Sequence, residues 1–179
     1  MTKLLKIAEL GEKVLFEKAK LVKNVKDADI QELIDEMIAT LKHDNGVGIA
    51  APQVFQSLRI IIVYSYPNPR YPYAPKFGPE AMINPKITKK SKKKEKGWEG
   101  CLSIPGIRGL VPRHKKITVE YTARNGELKI MKAKDFIARI VQHEVDHLDG
   151  RLCFLFAKES IKDLATEKVW QKIMAGNKK

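Results

Sequence analysis

The segment Asp135–Leu148 constrains this chain more than any other. It reads as a helix closed by Gly150, and Phe136, Ile137, Ile140, Val141, His143, Glu144, His147 and Leu148 share an arc of roughly 160° on its wheel. Asp135, Arg139, Gln142, Asp146 and Asp149 fall on the other side. The apolar face therefore carries two histidines and a glutamate. Histidines at i and i+4 project side by side and can hold one metal ion. Glu144, roughly 100° round from His143, stands beside such an ion without ligating it. With no ion, three polar groups would be buried unpaired, which is costly. The rest of the chain has to form a core around this helix.

The chain supplies that core from 179 residues, 44% of them hydrophobic, enough for one domain over residues 1–179 and not comfortably for two. Asp27–Leu41 is an amphipathic helix capped by Asp27 or Asp29 and stopped by Asn45-Gly46. Arg59–Tyr64 is a buried strand with β-branched residues from Ile60 to Val63, and Met82–Thr88 is a further strand. Lys116–Tyr121 and Glu127–Met131 alternate around Asn125-Gly126, a hairpin signal. The five prolines between Tyr66 and Pro79 exclude a helix and a central strand there, leaving an ordered loop. Lys89–Lys96 is a lysine-rich turn or edge, and Ser160–Met174 a last, basic helix. These elements predict an α+β domain, with antiparallel or mixed strands around the central metal-binding helix and a helix at the C-terminal end.

Charge and cysteine content narrow the setting. Lys and Arg total 34 against 21 Asp and Glu, a net +13, which suits a polyanionic neighbour without naming one. No stretch approaches the ~20 apolar residues of a membrane span, and the N-terminal residues lack the apolar core of a signal peptide. Neither a membrane nor DNA is expected as a partner. The two cysteines, Cys101 and Cys153, are too few for a disulfide scaffold, so the expected compartment is the cytoplasm with both thiols reduced.

A catalytic ion of this type takes a third protein ligand and keeps a position open for water. Both cysteines qualify. Cys153 follows His147 by six residues past a glycine turn, as in some metallopeptidases, but sits in the apolar run Leu152–Phe156. Cys101 sits in Glu99-Gly100-Cys101-Leu102-Ser103, with the look of a strand-to-turn ligand loop. The small residues of Gly46-Val47-Gly48-Ile49-Ala50-Ala51-Pro52-Gln53 would let a ligand approach the backbone closely.

Three segments, Gly46–Gln53, Glu99–Ser103 and Gln142–His147, stand in the order found in the peptide deformylases, and together they resemble that family. The likeness extends weakly to Ile83-Asn84-Pro85 and Leu110-Val111-Pro112-Arg113. The resemblance implies a metal-dependent hydrolase that removes the formyl group from N-formylmethionyl nascent peptides and releases formate. By the same likeness Cys101, His143 and His147 would hold the metal, leaving Cys153 to the core. Fe²⁺ would be the physiological ion, with Zn²⁺, Ni²⁺ or Co²⁺ able to occupy the site. Glu144 would act as general base and then acid, while the Gln53 amide and the Leu102 N–H would face the developing oxyanion. Gly48 and Arg108 would contact the peptide, and Val47, Ile140 and His143 would border the methionine side chain. The long Tyr66–Pro79 segment and the lack of an acidic residue in Arg151–Ala157 depart from the family pattern.

Two rival readings carry distinct signatures. A zinc metallopeptidase cleaving internal peptide bonds would use Cys153 or a later residue as third ligand. A non-catalytic RNA- or ribosome-binding module would tolerate loss of Glu144. The basic segments Lys89–Lys96 and Lys158–Lys179 suit a transient ribosome contact, whose electrostatic strength would fall steeply with salt.

Overall fold

The computed structural model describes residues 2–68, 71–153 and 161–176. Helix α1 (Ala28–His43) opens with the Asp27 side chain accepting the N–H of Asp29, and ends at Asp44. Strands β1 (Gly48–Ala50), β2 (Ile60–Ser65), β3 (Phe77–Lys90), β6 (Lys116–Thr122) and β7 (Leu128–Lys134) form an antiparallel sheet in the order β1-β2-β3-β6-β7. Strands β4 (Lys94–Cys101), β5 (Ile104–His114) and β8 (Leu164–Thr166) form a second, three-stranded sheet. Helix α2 (Asp135–Leu148) carries the His-Glu-x-x-His segment, and α3 (Glu167–Gly176) ends the described chain.

The continuous apolar run of β2 follows from where it lies. Side chains alternate across a strand. Ile60 and Ile62 join Leu33, Ile34, Met37 and Leu41 of α1, while Ile61 and Val63 join Ile140, Val141 and Leu148 of α2 on the opposite face. Each fully buried aliphatic chain contributes about 1.5–3 kcal/mol, against about 0–1 kcal/mol for an exposed ion pair such as Arg124–Asp35. The two-sided core, rather than the surface charge, sets the position of α2.

The other side of α2 is not a solvent face. Gln142, on the side opposite the apolar arc, is buried. Its Oε1 accepts the His114 N–H at 3.0 Å and its Nε2 donates to the His114 and Ala138 carbonyls at 2.9 and 2.8 Å. Arg139 donates to the carbonyls of Gly97, Val111 and Glu95, and its guanidinium fills the space a side chain at Gly97 would need. The second sheet covers this side, so α2 is held between two sheets by apolar packing on one flank and by hydrogen bonds on the other.

The C-terminal reading needs correction. Part of the expected helix Ser160–Met174 and of the segment Arg151–Ala157 lies outside the described residues. Ile161–Asp163 form a 3₁₀ turn, and Leu164–Thr166 are a strand paired with Ile107–Gly109 of β5. The helix starts only at Glu167, because the free edge of β5 satisfies this backbone first. The lysine-rich turn is confined to residues 91–93 between β3 and β4, and the Pro/Tyr segment enters β3 at Phe77. No helix among the described residues is long and apolar enough to cross a membrane.

Candidate metal centre

Three elements deliver the site. Helix α2 presents His143, Glu144 and His147, all buried. The hairpin β4–β5 presents Cys101 at its tip, where Cys101 pairs with Ile104 across the two-residue turn Leu102-Ser103. The segment β1 and the following 3₁₀ turn Ala51–Val54 present Gly48 and Gln53. One donor atom each from Cys101, His143 and His147 lies within 4.8 Å of the others, and Cys101 Sγ is 3.2 Å from His147 Nε2.

Glu99 fixes the geometry from behind. It is buried, and its Oε1 accepts from Arg113 Nε at 2.9 Å and Arg139 Nη1 at 2.8 Å. Its Oε2 accepts from Arg113 Nη2 and His143 Nδ1, both at 2.9 Å. A carboxylate only accepts, so Nδ1 of His143 carries a proton, and Nε2 is the nitrogen left to face a ligand. Burial pushes the Glu99 carboxyl up, but His143 and Arg113 outweigh it and bring it to about 2. Arg113 also pairs with Asp146 on the outer turn of α2.

Burial likewise opposes ionisation of Cys101, yet His147 and His143 hold its pKa well below that of an ordinary thiol. Cys153 shows the opposite balance: burial dominates and raises it. Since the thiolate is the ligating form, the two cysteines differ in the chemistry they offer. A second donor group, Glu99, His143 and Cys153, shares His143 with the first. In it the Glu99 carboxylate is already committed to two guanidinium groups.

The Gln53 amide is oriented by the backbone. Its Oε1 accepts the Ala50 N–H at 2.9 Å, which turns Nε2 toward Ser103 Oγ at 3.1 Å and Cys101 Sγ at 3.5 Å. A donor is thereby aimed at the cluster of Cys101, His143 and His147. Glu144 Oε2 and His147 Nδ1 are buried with no hydrogen-bond partner among the described residues. Burial pushes the Glu144 carboxyl up to about 7, against the opposing effect of His143 and His147. A side chain at Gly48 would run into the Glu144 carboxyl group and Ile140 Cγ2.

Val47, Gly48, Gln53, Cys101, Leu102, Arg108, Ile140, His143 and Glu144 all line one cleft of about 250 Å³; His147 lies fully buried behind it. Sequence reasoning assigned no role to Glu99, Arg113 or Arg139. A two-residue strand period puts Glu99 on the same face as Cys101, which could have flagged it. Tyr71 and Glu167 also line the cleft, and nothing in the sequence signalled either.

The donor set suits a divalent metal: one cysteine sulfur, two imidazoles and a nearby carboxylate whose Oε2 has no hydrogen-bond partner among the described residues. The model of the family described as Polypeptide deformylase matches residues 4–162. This chain belongs to the polypeptide deformylase family. It is 56% identical to Peptide deformylase 2 of Nostoc sp. over 98% of both chains, and 42% identical to Peptide deformylase 1 of Bordetella pertussis over 82% of this chain and 83% of that one. Its fold matches a class I type b peptide deformylase of Acinetobacter baumannii, crystallised with Met-Ala-Ser, at TM-score 0.85 and 45% identity over 87% of this chain and 99% of that one. The chain is therefore a metal-dependent hydrolase of the deformylase class, acting on N-formylmethionyl peptides, and the internal metallopeptidase reading is not favoured.

Gly48→Ala tests the fit between β1 and Glu144. The added methyl group displaces the carboxylate, and a misplacement of about 1 Å can cost about 10²-fold. The expected result is a fall of that order in kcat/KM for formate release, with bound metal retained; unchanged activity would contradict the contact.

Proposed function

We propose that Cys101, His143 and His147 hold one divalent ion, and that Glu144 and Gln53 carry out formyl hydrolysis beside it. One observation carries this reading: a sulfur and two imidazoles from distant parts of the chain converge within 4.8 Å, next to a buried carboxylate whose Oε2 has no partner among the described residues. Fe²⁺ is the proposed physiological ion, with Zn²⁺, Ni²⁺ or Co²⁺ able to replace it, in keeping with a soft thiolate donor.

When bound, the ion supplies Lewis acidity that makes hydroxide available near neutral pH. Glu144 takes the proton of the attacking water and returns it to the departing amine, so that formate and a free N-terminus result. A carboxyl group held near neutrality suits both transfers. As the formyl carbon becomes tetrahedral, Gln53 Nε2 and the Leu102 N–H stabilise the negative charge on its oxygen. Loss of one such donor costs about 2.7–4 kcal/mol of barrier in comparable chemistry. The methionine side chain lies against Val47, Ile140 and His143, and the extended peptide runs past Gly48 and Arg108, adding a strand to β1. That the Acinetobacter baumannii relative was crystallised with Met-Ala-Ser supports a peptide beginning with methionine as the ligand.

We further infer a cytoplasmic setting, since Cys101 must stay reduced to serve as a ligand. A transient ribosome contact is the reading we favour for the basic surplus. Lys86, Lys90 and Lys94 meet Lys18 and Arg151 around a second cleft of about 600 Å³, where Arg59 is paired with Asp149 and which borders α2 at Gln142, Val145 and Asp146; the lysines suit RNA phosphates.

Glu144→Gln removes the proton carrier and keeps the shape. Formate release from a formyl-methionyl peptide is expected to fall by about 10²–10⁴-fold with metal content unchanged. Full activity would overturn the role, and cleavage of an unformylated control peptide would point to a peptidase. For the ribosome contact, co-sedimentation at low salt that is lost as salt rises is the expected result; salt-independent binding, or none at low salt, contradicts it.

A further inference from the structure

Arg108 stands directly opposite Gly100 in the β4–β5 hairpin and lines the cleft. Its guanidinium fills the space a side chain at Gly100 would need. The side chain is almost fully buried, and each nitrogen is engaged. Nε donates to Glu167 Oε2 at 2.5 Å, Nη2 to Glu167 Oε1 at 3.1 Å, and Nη1 to the Tyr71 hydroxyl at 2.9 Å. The Trp170 ring centroid lies 4.6 Å from the guanidinium carbon. Tyr71 in turn packs on Phe136 at 5.0 Å between ring centroids.

Arg108 therefore reaches the cleft as half of a bidentate ion pair. The partner comes from the first turn of α3, beyond residue 162 where the family match ends. A guanidinium in a partly desolvated cleft wall, left alone, would draw any nearby carboxylate strongly. With Glu167 in place, an acidic residue of the peptide would have to displace a carboxylate already bound by two N–H groups. A basic residue would meet a carboxylate already paired. Tyr71 holds the third nitrogen and fixes the plane of the group.

We propose that Glu167, assisted by Tyr71, is a specificity-determining residue that masks Arg108 and makes the cleft indifferent to charge on the residues that follow the methionine. The proposal rests on the deformylase reading and on Arg108 bordering the peptide. A purely structural role, docking α3 on β5, would change kcat/KM for all peptides alike. Masking changes the ratio between peptides.

The test measures kcat/KM for formate release by the metal-loaded chain on formyl-methionyl peptides that carry Asp, Ala or Lys at the second or third residue. In the unaltered protein the Asp-to-Lys ratio is expected to stay within about threefold of unity, and in Glu167→Gln to rise by about tenfold or more at one of these positions. The double variant Arg108→Gln with Glu167→Gln is expected to lose that rise. An unchanged ratio in Glu167→Gln overturns the proposal. If that variant does not fold, Tyr71→Phe decides, with a smaller rise expected and no change contradicting it. No formate release from any peptide by the unaltered chain would overturn the deformylase reading itself.

Discussion

Glu99 sits where the β4–β5 hairpin crosses α2, and its carboxylate receives N–H groups from Arg113, Arg139 and His143. Burying a charge costs several kcal/mol unless it is paired and hydrogen-bonded. Here two guanidinium groups and an imidazole offset that cost, and Arg113 extends the network to Asp146. The same contacts tie the hairpin to the helix. Cys101 lies two residues beyond Glu99 on the strand, so the interaction that orients the His143 ring also sets the distance of the sulfur from the imidazole pair. Removal of Glu99 would leave Arg113 and Arg139 facing each other in a buried space.

The helix between two sheets explains how one scaffold provides both rigidity and an opening. Ile140, Val141 and Leu148 pack on the five-stranded sheet. Gln142 and Arg139 bond to the backbone of the hairpin. The cleft lies between the two sheets at the His143 turn. Its walls approach closely because small residues stand where side chains from elsewhere must pass, with Glu144 against Gly48 and Arg108 against Gly100. Such contacts make the Glu144 carboxylate position depend on the strand beside it.

Much of this was legible in the chain itself. The wheel of Phe136–Leu148 located the helix that carries His143, Glu144 and His147, and the β-branched run at Ile60–Val63 located the strand buried on both faces. The Asn125-Gly126 turn placed β6 and β7. Two kinds of feature were not legible. Tertiary pairing overrode local propensity where Leu164–Thr166 became a strand on the edge of β5, shortening the expected helix. Long-range polar contacts were invisible as well: nothing near Gln142 in the chain shows that a strand 28 residues earlier satisfies it. Tyr71 and Glu167 meet at Arg108 from 37 and 59 residues away, and no local pattern announces such a meeting. The choice between Cys101 and Cys153 stayed open on spacing alone; the apolar run around Cys153 favoured Cys101, and the family likeness settled it. The structure adds a contrast in surroundings: burial opposes ionisation of both thiols, but the imidazoles of His147 and His143 lower the pKa of Cys101 while that of Cys153 is raised.

Metal stoichiometry after anaerobic purification of Cys101→Ser and Cys153→Ser tests the central claim most directly. The account expects the unaltered chain and Cys153→Ser to hold one divalent ion per chain, and Cys101→Ser to lose it together with formate release. Metal retained in Cys101→Ser but lost from Cys153→Ser would contradict it.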